Sequence, residues 1–202
     1  MIYVLKDIFT ILFVFGVFLF IHELGHLLVL KYFYHEKQTG IAIGNILYSK
    51  RARILFKNRF LEFRIYNLVR LKGIVGFVYP WNGPYNDTNN LRVFLFAASG
   101  TIFELIFLSI LYFSTFVLKN FILIVSIKYI VLLLLFALLF SVYYKSKLNI
   151  GPEVNKLLKT PNGIAYSDSI LMARIPVLLN TLRLIIFLFL LMVSYDLSLF
   201  LL

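Results

Sequence analysis

Cysteine is absent from the chain. That excludes disulfides and thiolate metal sites, so any metal must be held by His, Asp, Glu or Asn. Acids are scarce, nine Asp and Glu against twenty Lys and Arg, which leaves a net charge of +11. Histidine is rarer still, with three in 202 residues. There is no glycine-rich phosphate loop and no aromatic-basic RNA-binding signature. No internal repeat or low-complexity tract occurs. Apolar residues dominate instead: 61% are hydrophobic, too many for an ordinary soluble domain. In a soluble protein the excess of cations would point to nucleic acid. Here the cations lie between apolar runs, so membrane lipids with anionic headgroups are the expected partner and nucleic acid is not. The abundance of Phe, Ile, Lys and Asn suggests an AT-rich genome and hence a bacterial cell membrane.

The expected fold is an α-helical integral membrane protein with about four transmembrane helices, built as a single domain over 1–202. The spans are expected at about 8–30, 91–118, 121–144 and 184–202, each near the length that crosses a bilayer. The first run is not read as a signal peptide, because it continues to residue 30 with no small-x-small cleavage site after it. Residues 31–90 form a basic loop, with ten Lys or Arg against three acids. Residues 145–174 form a second one. By the positive-inside rule both loops face the cytoplasm and both termini the outside.

The first loop reads as β-structure. Ile54-Leu55-Phe56, a Lys57-Asn58 turn and the alternating stretch 59–65 predict a membrane-associated hairpin. Gly40, Gly44, Gly73 and Gly76 punctuate further short strands. Tyr79, Trp81 and Tyr85 read as an interfacial aromatic belt. Within the spans, Ser99, Gly100 and Thr101 permit close helix packing. Lys128 is expected to snorkel to the near end of its helix and Asp196 to lie at the interface. In the second loop, Gly151-Pro152 and Pro161, Asn162 and Gly163 are turn signals.

One stretch carries chemistry. His22-Glu23-Leu24-Gly25-His26 is an H-E-x-x-H pattern inside the first span. Histidines four apart on a helix lie about 40° apart around its axis, so two imidazoles can reach one ion. Zinc (Zn2+) is the expected cofactor, since it favours imidazole and carboxylate and keeps a position for a water whose proton Glu23 can take. Glu23 lies roughly 12 Å inside the loop end of the helix. Three polar groups in one turn at membrane depth call for a function. Glu104, an acid far inside the second span, is a functional candidate for the same reason.

In this layout the chain resembles the site-2 proteases, intramembrane zinc metalloproteases. His22–His26 stands in the first span, where that family keeps its motif. Ala98-Ser99-Gly100-Thr101-Ile102-Phe103-Glu104 falls where the family has Gly-Pro-x-x-Asn. Only Gly100 matches well there, and Thr101 and Glu104 depart. Leu148-Asn149-Ile150-Gly151-Pro152 followed by Ser167-Asp168-Ser169 falls where the family has Asn-Leu-x-Pro and then Asp-Gly. Ser169 replaces that glycine. The resemblance implies a minimal member without a PDZ or CBS domain. It makes Asp168 the first candidate for the third metal ligand and Glu104 the second. Ser167-Asp168 also reads as a helix N-cap pair. Glu104 would alternatively orient substrate or water, and Asn149 would hydrogen-bond the substrate backbone or brace the site.

The expected function is hydrolysis of peptide bonds in membrane-anchored proteins or precursor peptides near the cytoplasmic face, with Glu23 as catalytic base. The peptide would enter extended, paired with the edge of the hairpin. The rival is a catalytically inactive membrane binding or immunity protein on the same fold. A zinc-dependent transporter is disfavoured by the absence of an inverted repeat.

Overall fold

The computed structural model describes residues 2–45, 52–66, 74–145, 147–149, 156–159 and 164–201. Four helices are long and apolar enough to cross a membrane: α1 (Ile2–Tyr32), α3 (Asn90–Ser114), α4 (Phe121–Tyr143) and α6 (Pro176–Leu201). Two short helices, α2 (Asn82–Asn86) and α5 (Asp168–Met172), lead into α3 and α6. Caps set the starts of the middle pair. Asn89 accepts from the backbone N–H of Leu91 and Arg92, and Asn120 from that of Leu123.

Helix ends differ from the expected spans in three places. The first helix extends back to Ile2. The second stops at Ser114, where Thr115, Phe116 and Val117 donate to carbonyls three residues back and tighten the chain out of the α-helix. The last begins at Pro176, eight residues before the expected start, with proline at the first helical position, where its missing N–H costs nothing. Arg183 lies within that added stretch. Its guanidinium lies 4.1 Å from the centre of the Tyr143 ring and donates to the Val142 carbonyl at 3.3 Å.

The first loop folds into a four-stranded sheet that joins the expected hairpin to two further strands. Its strands are β1 (Thr39–Asn45), β2 (Arg53–Lys57), β3 (Leu61–Ile65) and β4 (Ile74–Tyr79), in the order β2-β3-β1-β4. The pair β1–β3 is parallel; β1–β4 and β2–β3 are antiparallel. The hairpin β2–β3 is therefore present, but its turn includes Arg59 and Phe60. Asn58 Oδ1 accepts from the Phe60 and Leu61 N–H at 2.8 and 2.7 Å, so the strand starts at Leu61. The sheet lies along α1: Phe63 meets Phe20 edge-on, and Gly76 lies against Glu23. A second, two-stranded sheet pairs β5 (Lys147–Asn149) with β6 (Ile164–Tyr166). Gly73, Gly151-Pro152 and the Pro161–Asn162–Gly163 turn lie outside the described residues.

Two expectations about polar and aromatic residues are corrected. Lys128 does not snorkel: it is 1% exposed, and its Nζ stands 2.7 Å from Asp196 Oδ2. The Tyr112 hydroxyl donates to the same oxygen at 2.8 Å. Asp196 is thus bound into the bundle, because a carboxylate from α6 replaces the water that Lys128 would otherwise seek. Tyr79 and Trp81 are buried and form no interfacial belt. Trp81 packs edge-on against Phe96 of α3 and stacks on Tyr85. The Tyr85 hydroxyl donates to the Ile164 carbonyl at 3.1 Å and accepts from the Tyr166 N–H at 3.0 Å. These aromatics join α2, α3 and β6 rather than facing headgroups.

Ser99, Gly100 and Thr101 are buried where α3 crosses α1. A Cβ on Gly25 would lie 2.4 Å from the Ser99 carbonyl oxygen, so the two backbones are as close as glycine permits. That contact sets the H-E-x-x-H turn directly on α3.

Candidate metal centre

His22, Glu23 and His26 occupy the turn of α1 that faces α3 and β4. Each histidine is held by its Nδ1. His26 Nδ1 lies 2.7 Å from the Phe96 carbonyl oxygen, which can only accept, so Nδ1 carries the proton and Nε2 the lone pair. Ser99 Oγ donates to the same carbonyl at 2.6 Å. His22 Nδ1 lies 3.0 Å from Glu104 Oε2, an ion-pair contact outside hydrogen-bond alignment whose negative charge still favours a proton on Nδ1. A metal-ligating histidine is held in this way, its other nitrogen against a carboxylate or a backbone carbonyl.

The two Nε2 atoms stand 3.0 Å apart. Asp168 Oδ2 lies 3.1 Å from that of His22 and 3.2 Å from that of His26. Three lone-pair-bearing atoms that face one another at this range repel unless a cation lies among them. Ligands of one tetrahedral zinc, bonded at about 2.0–2.1 Å, stand roughly 3.3 Å apart, so the donor set fits. His22, His26 and Asp168 are a group that could hold a metal ion.

Asp168 reaches the histidines from a distant part of the chain. Strand β6 ends at Tyr166, tied to Tyr85, and Asp168 is the first residue of α5. Ser167 makes no side-chain cap; its Oγ pairs with Ser169 Oγ at 3.1 Å. The buried Ser169 hydroxyl also donates to the Tyr144 carbonyl at the end of α4. The serine that departs from the glycine of the family pattern therefore links α5 to α4.

The other candidates fall as follows. Glu104 is buried against His22 Nδ1, outside the three converging atoms. Asn149 pairs with Ile164 through the backbone of β5, and its side chain lies outside the described residues. His35 is exposed in the turn after α1.

Glu23 is 3% exposed, and its Oε2 has no hydrogen-bond partner among the described residues. A Cβ on Gly76 would lie 2.4 Å from Glu23 Oε1, so only a glycine in β4 lets the carboxylate rest there. Gly100 fills the same role below the histidines: a Cβ would lie 2.7 Å from both Nε2 atoms. Sequence reasoning did not assign Gly76 or Phe96 to the site. An isolated glycine in a strand is a known sign of close backbone approach, so Gly76 had a signal. Phe96 acts through its carbonyl, which no side-chain pattern reveals.

The centre thus offers two imidazoles and a carboxylate converging on one point, with a second carboxylate beside them that is free to accept a proton. No family model, curated protein or solved structure matches the chain.

Proposed function

We propose that this chain is a four-span intramembrane metalloendopeptidase of the site-2 protease kind, with His22, His26 and Asp168 holding zinc. The observation that carries this reading is the convergence of His22 Nε2, His26 Nε2 and Asp168 Oδ2 at 3.0–3.2 Å, beside the buried Glu23. Two imidazoles, one carboxylate and a neighbouring Glu are the donor set of a hydrolytic zinc centre. Bound there, zinc would polarise a peptide carbonyl and lower the pKa of a water.

The chain's own residues do the rest. Glu23 accepts the proton of the attacking water and returns it to the leaving amine. Its partnerless Oε2 is the atom for this transfer. Glu104 and the Phe96 carbonyl keep the two imidazoles turned with Nε2 forward. The peptide lies extended, because a helix hides its carbonyls in i→i−4 bonds. We assign its docking edge to β4 rather than to the hairpin: β4 ends the sheet on the side of Glu23, and β2 ends it on the other. With both basic loops in the cytoplasm, the cut falls near the cytoplasmic face of a membrane-anchored protein or precursor peptide.

The test uses the full chain reconstituted in vesicles with a panel of single-span peptides. Glu23→Gln should lower cleavage by about 10²–10⁴-fold, the contribution of a general base. Cleavage by Glu23→Gln at the wild-type rate would refute the mechanism. A wild-type protein that holds its metal and cuts none of the panel would favour an inactive binding protein.

A further inference from the structure

The hairpin β2–β3 is not used by the chemistry above, yet its surface is unusual. All five residues of β2 are exposed. Ile54, Leu55 and Phe56, with Phe60 in the turn, are each about half exposed. In a strand, side chains alternate between faces, so β2 presents apolar groups on both. Cations surround them. Arg53 and Lys57 bound the strand, Arg59 sits in the turn, and Lys31 joins from the end of α1. Lys31 Nζ and Arg59 Cζ lie 5.7 and 5.8 Å from the centre of the Phe60 ring. The hairpin's one acid, Glu62, is buried and paired with Arg64, and Lys57 Nζ lies 3.9 Å from its other oxygen. Among the described residues no acid is within ion-pair range of Lys31, Arg53 or Arg59.

The position of the hairpin narrows what can cover it. Its turn stands beside Lys31, and Phe63, opposite Phe56, stands beside Phe20. It therefore runs along about 16 Å of α1. A second copy pairing edge to edge through β2 would set Arg53 opposite Lys57 of its twin, and like charges directly opposite destabilise a ladder. Hydrocarbon alone would leave the open strand edge without hydrogen-bond partners. The boundary between headgroups and acyl chains meets every requirement: acyl chains for the apolar groups, water and ester oxygens for the edge, phosphodiester anions for the cations.

We propose that the β2–β3 hairpin is an anionic-phospholipid docking surface, lying in the headgroup boundary with Arg53, Arg59 and Lys31 on lipid phosphates. This rests on the reading that the four long helices cross a membrane. The chain lacks cysteine, so nitroxide labels can be attached singly at Leu55→Cys, Phe60→Cys and Phe136→Cys. The last reports on an exposed site within α4. The full chain is reconstituted in vesicles of phosphatidylcholine, or of an equal mixture with phosphatidylglycerol. Relaxation of each label by oxygen, which enters the bilayer, is compared with relaxation by a nickel chelate, which stays in water. The expected result is oxygen contact at position 136 in both vesicles, and oxygen contact at 55 and 60 that rises when phosphatidylglycerol is present. Arg53→Gln with Arg59→Gln should abolish that rise and leave position 136 unchanged. Nickel contact at 55 and 60 in both vesicles, with 136 in lipid, would overturn the docking surface and leave the spans intact. Shielding of 55 and 60 from both reagents would assign the face to a protein. Equal lipid contact in the two vesicles would overturn the headgroup role. Nickel contact at 136 would overturn the membrane reading itself.

Discussion

One glycine and one carboxylate decide whether the two histidines can act together. Gly100 leaves open the space on which the Nε2 atoms converge, and a methyl group there would stand 2.7 Å from each. Gly100→Ala should weaken metal binding by at least the about 100-fold that loss of an outer ligand contact can cost. Competition against a chelator measures this, and unchanged affinity would mean the ion does not sit there. Glu104 acts through His22, whose Nδ1 it approaches at 3.0 Å. Glu104→Ala should lower metal affinity by about 10–100-fold. Glu104→Gln, which keeps an accepting oxygen, should recover most of it. If the alanine variant binds metal as tightly as the wild type, Glu104 has no part in orienting the ligand. Gly76 bears on the base instead, since a side chain on it would push Glu23 aside. The H-E-x-x-H turn was legible in sequence because its three side chains lie within five residues. The Phe96 carbonyl was not, because a backbone contact seventy positions away leaves no trace in side-chain pattern.

At the scale of elements, each ligand depends on how one segment is held to another. β6 and α5 bring Asp168 to the centre, tied to α2 by Tyr85 and to α4 by Ser169. The hairpin was legible from its alternation and from Asn58. The strands flanking it, β1 and β4, had only glycines to announce them, since sheet order is set by partners far along the chain. Lys128 was misjudged because its sequence context does not reveal Asp196, sixty-eight positions away. Together with Tyr112 they join α3, α4 and α6. Asp196→Ala should destabilise the bundle by about 3 kcal/mol or more, because it leaves a buried ammonium without its carboxylate. The double change Lys128→Met with Asp196→Leu should restore most of that stability, as apolar replacement of buried ion pairs commonly does. Thermal unfolding in detergent reads both. A double variant no more stable than the single one would show that the pair is not the source of the loss.

For the molecule as a whole, four long helices form the frame, and the sheet and the short helix α5 bring Gly76 and Asp168 to the H-E-x-x-H turn of α1. This division explains why the architecture was largely readable. Long apolar runs announce helices without knowledge of their neighbours, whereas the convergence of His22, His26 and Asp168 needs α1, β6 and α5 to be assembled. The most direct test of the account is the metal content of the purified full chain by elemental analysis, with Glu23→Gln and Asp168→Ala prepared beside it. The account predicts one zinc per chain in the wild type and in Glu23→Gln, where a base has been removed but no ligand. It predicts marked loss in Asp168→Ala. A wild-type protein that takes up no zinc when it is supplied, or an Asp168→Ala protein that retains as much as the wild type, would contradict it.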